Sequence, residues 1–151
     1  MTAKEMNKSQ YFLVRHLIKY FAKVNVWVYQ KTNGRIMNKM SGSEICLITM
    51  TGAKSGEKRT LPLMYVPYKE GVVIVASLGG APKNPVWFNN VVAHPQIDVQ
   101  YHDKKMKLVA RQVYGEERAN VWPTCVKYYK PYESYQRRTN REIPLFVCEP
   151  A

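Results

Sequence analysis

Three segments of this chain carry residue types that can do chemistry. The run Tyr128-Tyr129-Lys130-Pro131-Tyr132-Glu133-Ser134-Tyr135 sets phenols at positions 129, 132 and 135. Spacing by three puts them on one face of a helical or turn-rich segment. Each buried phenol needs a hydrogen-bond partner, so three together are costly as packing alone. The segment reads either as a ligand wall with proton donors or as a half-exposed aromatic face. Thr51-Gly52-Ala53-Lys54-Ser55-Gly56-Glu57-Lys58-Arg59 is a turn with two glycines, two hydroxyls and three cations. Glycines let backbone N–H groups converge, and the cations hold an anion there. The order of residues excludes a Walker A loop, in which Lys-Ser/Thr follows the second glycine. An exposed hairpin turn with solvated lysines is the other reading. The third segment, Ser77-Leu78-Gly79-Gly80-Ala81-Pro82-Lys83-Asn84-Pro85-Val86-Trp87, leaves a strand and enters a helix. Helix starts favour electron-rich groups. Trp87 and Phe88 on a short helix read first as core.

Other chemistries lack their residues. His16, His94 and His102 are scattered, with no carboxylate or cysteine at metal-ligand spacing. No Gly-x-Ser-x-Gly elbow is present, and no carboxylate pair suits glycoside hydrolysis. Cys46, Cys125 and Cys148 are odd in number, far apart and in apolar surroundings. They read as small buried hydrophobes in a reducing compartment.

The elements that must position these segments change character near residue 44. Over the first forty residues eight cations face Glu5 alone. Leu13, Leu17, Tyr20, Phe21, Val24 and Val28 recur at helical spacing, with Arg15, Lys19 and Lys23 on another side. Two compatible readings follow: a helix packed on the domain with a solvated basic face, and a helix that also touches an anionic membrane. Strands are expected at Ile45–Thr51, loosely at Arg59–Tyr68, then at Val72–Ala76 after a Glu70-Gly71 hairpin, at Ile97–Tyr101 and at Met106–Val113. Asn84-Pro85 opens a short helix, with Asn as cap and Pro in the first turn. A helix spans Glu116–Tyr129, where Pro123 should break or kink it. A last strand covers Ile143–Val147.

Of 151 residues, 46% are apolar, enough for a sizeable core, and 23 cations against 11 acids leave a charge of +12. That bias implies an anionic partner. No apolar run approaches a membrane span, and no secretory signal is visible. The pattern predicts an α+β protein, mainly antiparallel β, with a barrel removing the sheet edges. An N-terminal amphipathic helix and linker would occupy residues 1–40 and the barrel residues 41–151.

Together the three segments resemble the deazaflavin (coenzyme F420)-dependent nitroreductase and quinone reductase family. The matching pieces are Thr51-Gly52-x-Lys54-Ser55-Gly56-x-x-Arg59, Gly79-Gly80-x-x-x-Asn84-Pro85-x-Trp87-x-x-Asn90 and Tyr129-x-x-Tyr132-x-x-Tyr135, with Ile143-Pro144 and Cys148-Glu149-Pro150 at the end. The resemblance implies a split β-barrel related to flavin mononucleotide (FMN)-binding barrels. By the same likeness, Ala53, Lys54, Ser55 and Arg59 hold the phosphate, and Thr60, Leu61, Pro62, Leu63 and Met64 line the ring. Val75, Ala76, Ser77 and Leu78 close the groove with Val86, Trp87, Phe88, Asn89 and Asn90, and Tyr132 sits over the reactive ring face. An oligoglutamate tail would account for part of the positive charge. Departures at Leu61, Leu78 and Phe88 bear on tail affinity and substrate choice.

The expected function is hydride transfer from reduced F420 to quinones, nitroaromatics or activated enones, in the cytoplasm or at the inner face of the membrane. The cofactor carries the redox chemistry and the protein supplies position and electrostatics. Tyr132 is the expected proton donor, Ser77 a substitute, and Tyr129 and Tyr135 tune substrate preference. The alternatives are an FMN-dependent reductase on the same barrel and a non-enzymatic basic domain binding membrane or nucleic acid; with the enzyme reading, the partner is a small electron acceptor and not nucleic acid.

Overall fold

In the computed structural model, which describes residues 8–151, a long helix α1 (Lys8–Lys31) precedes a curled antiparallel sheet. Lys4 and Glu5, and the side chain of Arg15, lie outside what is described. The strands are β1 (Lys39–Met40), β2 (Ser43–Thr51), β3 (Lys58–Met64), β4 (Pro67–Tyr68), β5 (Gly71–Val75), β6 (Gln96–Tyr101), β7 (Lys104–Val113) and β8 (Leu145–Glu149). Hydrogen-bonded neighbours run β1-β2-β6-β7-β8-β5-β4, and β3 joins β2. Every pairing is antiparallel. Curling brings β3 close to β5, though the two share no ladder. That gap is where the barrel is split.

Alternation explains why the strand runs are apolar throughout. Cys46, Ile48 and Met50 of β2 meet Val72, Ile74, Phe146 and Cys148 inside the barrel. The intervening Val73, Val75, Leu145 and Val147 face outward beneath helices α3 (Gly115–Tyr128) and α4 (Tyr132–Arg138). Strands covered on both faces lose the polar half of their pattern. Gly71 stands where a Cβ would lie 1.9 Å from the Cys148 carbonyl oxygen, so no larger residue fits beside β8.

Several boundaries differ from the sequence expectation. The β4–β5 hairpin turns at Lys69-Glu70, with Lys69 at φ 50°, because Gly71 already pairs with Tyr68. Helix α2 (Trp87–Ala93) begins after Asn84-Pro85, not on it. Asn84 does not cap the helix; its Oδ1 accepts instead from Arg141 Nη1 at 2.9 Å. Pro123 neither breaks nor ends α3. It and Ala119, whose carbonyl loses its bond, are both exposed, so water replaces the missing donor.

The N-terminal helix departs most from its expected packing. Val26 and Tyr29 meet Ile45 and Leu47 on the outer face of β2, and the Tyr29 hydroxyl accepts from His102 N at 2.9 Å. The Leu13–Leu17–Tyr20–Phe21 stripe meets none of the barrel. Every described side chain from Lys8 to Lys23 is exposed, Phe21 by 67%. Anchoring at one end leaves the apolar stripe in solvent.

Candidate active site

The split of the barrel opens into a cleft of about 470 Å³, within the range of small-molecule sites. One wall is Leu61, Leu63 and Met64 of β3; the opposite wall is Val75, Ser77, Leu78 and Gly79. Pro85 and Trp87 close one side, Met40 and Ser41 another, and Tyr129, Tyr132 and Tyr135 form the back. The three phenols therefore form a cleft wall, one of the two readings their spacing left open. They reach it from two elements: Tyr129 caps the C-terminus of α3, and Tyr132 starts α4.

These hydroxyls are not equivalent. Tyr129 and Tyr135 pair through their oxygens at 3.0 Å. That bond, with burial second, raises Tyr135 above the ordinary tyrosine range. Tyr132 is only 4% exposed, and its ring stands edge-on to Tyr129 at 4.9 Å. Its hydroxyl makes no hydrogen bond among the described residues. Burial pushes its pKa far up, so it remains a protonated O–H over all ordinary pH. A buried phenol with an unused donor at a cleft is a poised hydrogen-bond donor. The Ser77 hydroxyl is likewise without a protein partner among the described residues.

The glycine-bearing turn sits beside this cleft and is tied to it by one bond. Ala53 N donates to Asn90 Oδ1 at 2.9 Å, joining the turn to α2, whose Trp87 lines the cleft. Gly52 N and Gly56 N close the turn on Glu57 O and Gly52 O. The Glu57 amide donates to Ser55 Oγ at 3.2 Å. What remains free are the amides of Lys54 and Ser55, with no acceptor among the described residues, beside the exposed ammonium of Lys54. Arg59 is paired only loosely, 3.8 Å from Glu57, and both groups are largely exposed. Two free amides and two available cations suit a phosphate. Ala53 differs from the expectation, because its amide is already taken by Asn90.

Of the residues expected at the ring, Leu61, Leu63, Met64, Val75, Ser77, Leu78 and Trp87 line the cleft. Thr60 and Pro62 alternate to the other side of β3, where Thr60 Oγ1 lies 2.7 Å from Thr49 Oγ1. Ala76 and Phe88 turn into the barrel core, Phe88 against Phe146. Val86 is 86% exposed and Asn89 is exposed. Asn90 serves the turn and not the cleft wall. Met40 and Ser41 were not expected; they arrive through a hairpin that nothing in local spacing announces.

A family profile described as F420H(2)-dependent quinone reductase matches residues 21–150. The chain belongs to that family. It is thus an oxidoreductase, and F420 is its family's cofactor. An F420H(2)-dependent quinone reductase of Mycobacterium tuberculosis is 32% identical over 140 residues, 90% of this chain and 94% of the relative. A solved structure of an F420-H2 dependent reductase is 48% identical, with TM-score 0.66 over 70% of this chain and 93% of that one. Another, described as a domain-swapped dimer, is 42% identical with TM-score 0.67, covering 82% and 97%. These similarities favour neither the FMN reductase nor the non-enzymatic basic domain. The curled barrel is also shared with the haem storage protein HutZ of Vibrio cholerae at 14% identity and TM-score 0.53, a likeness of fold alone. Among the described residues no helix is long and apolar enough to cross a membrane.

Proposed function

We propose that the cleft seats the deazaflavin ring against β3 and the Ser77–Gly79 loop, and that the acceptor, a quinone, approaches the tyrosine wall. The supporting observation is that the turn, the loop and the tyrosines, far apart in sequence, line or adjoin one cleft. Apolar walls suit a flat heterocycle, and the free Lys54 and Ser55 amides with Lys54 and Arg59 suit its phosphate. When bound, the reduced cofactor supplies a hydride.

The chain's residues then manage charge. Negative charge grows on a quinone oxygen as hydride arrives, and an aimed O–H stabilises it. The Tyr132 hydroxyl, committed to no protein acceptor, donates that hydrogen; Ser77 and Ser41 carry the cleft's other hydroxyls without a protein partner among the described residues. The Tyr129–Tyr135 pair holds the wall in shape. Nitroaromatics and activated enones present the same growing charge and fit the same donor. Titration with oxidised F420 beside FMN, followed by fluorescence, tests the seat. Tight FMN binding without F420 binding would overturn the reading.

We also infer, for a chain acting in the cytoplasm, that α1 rests on an anionic membrane surface. Phe12, Leu13, Leu17, Tyr20, Phe21 and Trp27 are exposed, and Lys8, Lys19, Lys23 and Lys31 accompany them with no acid on the helix. Aromatic and aliphatic groups beside lysines suit the headgroup boundary of such a surface.

A further inference from the structure

The loop from β5 to α2 passes through three successive left-handed residues: Leu78 at φ 45°, Gly79 at 63° and Gly80 at 80°. Glycines adopt this freely; a leucine does so only under restraint. The restraint comes from about sixty residues downstream. Arg141, in the linker after α4, donates from Nε to Ala81 O at 2.8 Å and from Nη2 to Ser77 O at 2.7 Å. Its Nη1 donates to Ala76 O at 3.1 Å and to Asn84 Oδ1 at 2.9 Å. No carboxylate pairs with it among the described residues. The whole fork serves this one loop.

Arg141 is itself seated on a frame. Gln136 Nε2 donates to Arg141 O at 2.8 Å, while Gln136 Oε1 accepts from Ile143 N and from Arg118 Nη2 of α3. Gly80 fits closely against α4, since a Cβ there would lie 2.5 Å from Tyr135 O. The loop and the tyrosine wall therefore hang on one network.

The orientation of the loop's peptides follows. A trans peptide is planar, so its N–H points opposite its C=O. The carbonyls of Ala76 and Ser77 turn toward Arg141, so the amides of Ser77 and Leu78 point away from it. Neither amide has an acceptor among the described residues, and both residues line the cleft. We infer that Arg141 is a positioning residue of the reductase: it draws the loop carbonyls off the cleft and leaves the Ser77 and Leu78 amides for an electron-rich edge of the bound ring. This rests on the cleft being the deazaflavin seat.

The test compares the unaltered protein with Arg141→Ala, Arg141→Lys and Asn84→Ala. Three readouts are needed: affinity for oxidised F420 by fluorescence, amide exchange of residues 76–84 without cofactor, and thermal melting. Arg141→Ala should weaken F420 binding about tenfold or more. It should also speed exchange at Gly80 and Ala81, whose amides bond to Ser77 O and Leu78 O. Millimolar guanidinium should restore part of the affinity. Arg141→Lys keeps the charge without the planar fork, and should still bind several-fold more weakly. Asn84→Ala removes one acceptor and should lie between it and the parent.

A lower melting point with parental F420 affinity well below that temperature would make Arg141 merely structural and overturn the inference. Should Arg141→Ala not fold, parental affinity in Arg141→Lys would do the same. A folded, unaltered chain that does not bind F420 would instead sink the deazaflavin reading, and the inference with it.

Discussion

Tyr132→Phe is expected to lower activity while leaving stability nearly unchanged. The substitution keeps the ring, which packs against Tyr129 at 4.9 Å, Tyr135 at 6.1 Å and Trp122 at 6.3 Å. It removes a hydroxyl that is bonded to no described group and opens onto the cleft; the sealed, unpartnered side-chain oxygen among the described residues is that of Asn25. A sealed, unpaired hydroxyl would cost about 1–3 kcal/mol, but one that opens onto a cleft is hydrated and carries little of that penalty. The variant should therefore stay within about 1 kcal/mol of the parent, or about 2–4 °C in melting temperature for a chain of this size. Turnover should fall by roughly a hundredfold, about 2.7 kcal/mol of barrier, if the hydroxyl is the positioned donor. Circular-dichroism melts and anaerobic oxidation of reduced F420 by a soluble quinone measure the two quantities. Parental turnover would refute the donor role and leave Ser77 or water. A melting point several degrees lower would show that the hydroxyl has a partner the geometry lacks. Tyr129→Phe and Tyr135→Phe supply the contrast, since each orphans the other's hydroxyl and should cost about 1 kcal/mol of stability.

Lys54→Ala and Arg59→Ala should each weaken F420 binding by about 1–3 kcal/mol, read by fluorescence titration; unchanged affinity in both would remove the turn from the site. Asn90→Ala should weaken it as well, by freeing Ala53 and loosening the turn, without touching the phosphate. Deleting the residues before Val24 should leave melting within a few degrees of the parent, because the anchor begins at Val26, while reducing co-sedimentation with anionic vesicles. Equal sedimentation at low salt would count against the membrane reading. Burial lifts Cys46 and Cys125 from 9.0 to about 12, so the neutral thiols favour the folded chain. That stability is complete below pH 9 and falls by roughly 1.4 kcal/mol per pH unit per thiol from there toward pH 12. Urea melts at pH 8 to 11 should show the decline, and a flat series would refute it.

Much of the barrel was legible because its strands announce themselves. Ile45–Thr51 and Val72–Ala76 are apolar runs bounded by glycine, and burial on both faces makes such runs continuous. The three motif segments could be linked to one cleft only through resemblance, since their contacts cross tens of residues. Residues that alternate on a strand show the limit most sharply. Thr60 to Met64 read as one lining stretch, yet period two sends Thr60 and Pro62 to the far side. Arg141 carries no local signal, because its role depends on a loop about sixty residues away. The Asn84-Pro85 pair carried a helix-start signal that the fold overrides: Arg141 takes the capping oxygen. Amphipathic spacing in α1 correctly marked a helix, but spacing cannot say whether the apolar side meets protein or something else.

That helix has an evolutionary consequence. From Lys8 to Lys23 no described side chain joins a core cluster, so selection for folding does not see those positions. Substitutions that would be lethal in β2 are silent there to any screen for soluble, stable protein. The segment can gain or lose cations, shorten by a turn, or exchange aromatics for aliphatics while the cleft stays as it is. On the proposed membrane role of α1, where the enzyme works and what it reduces would be separately inheritable traits, and a chimera carrying another chain's first three turns should keep this one's chemistry.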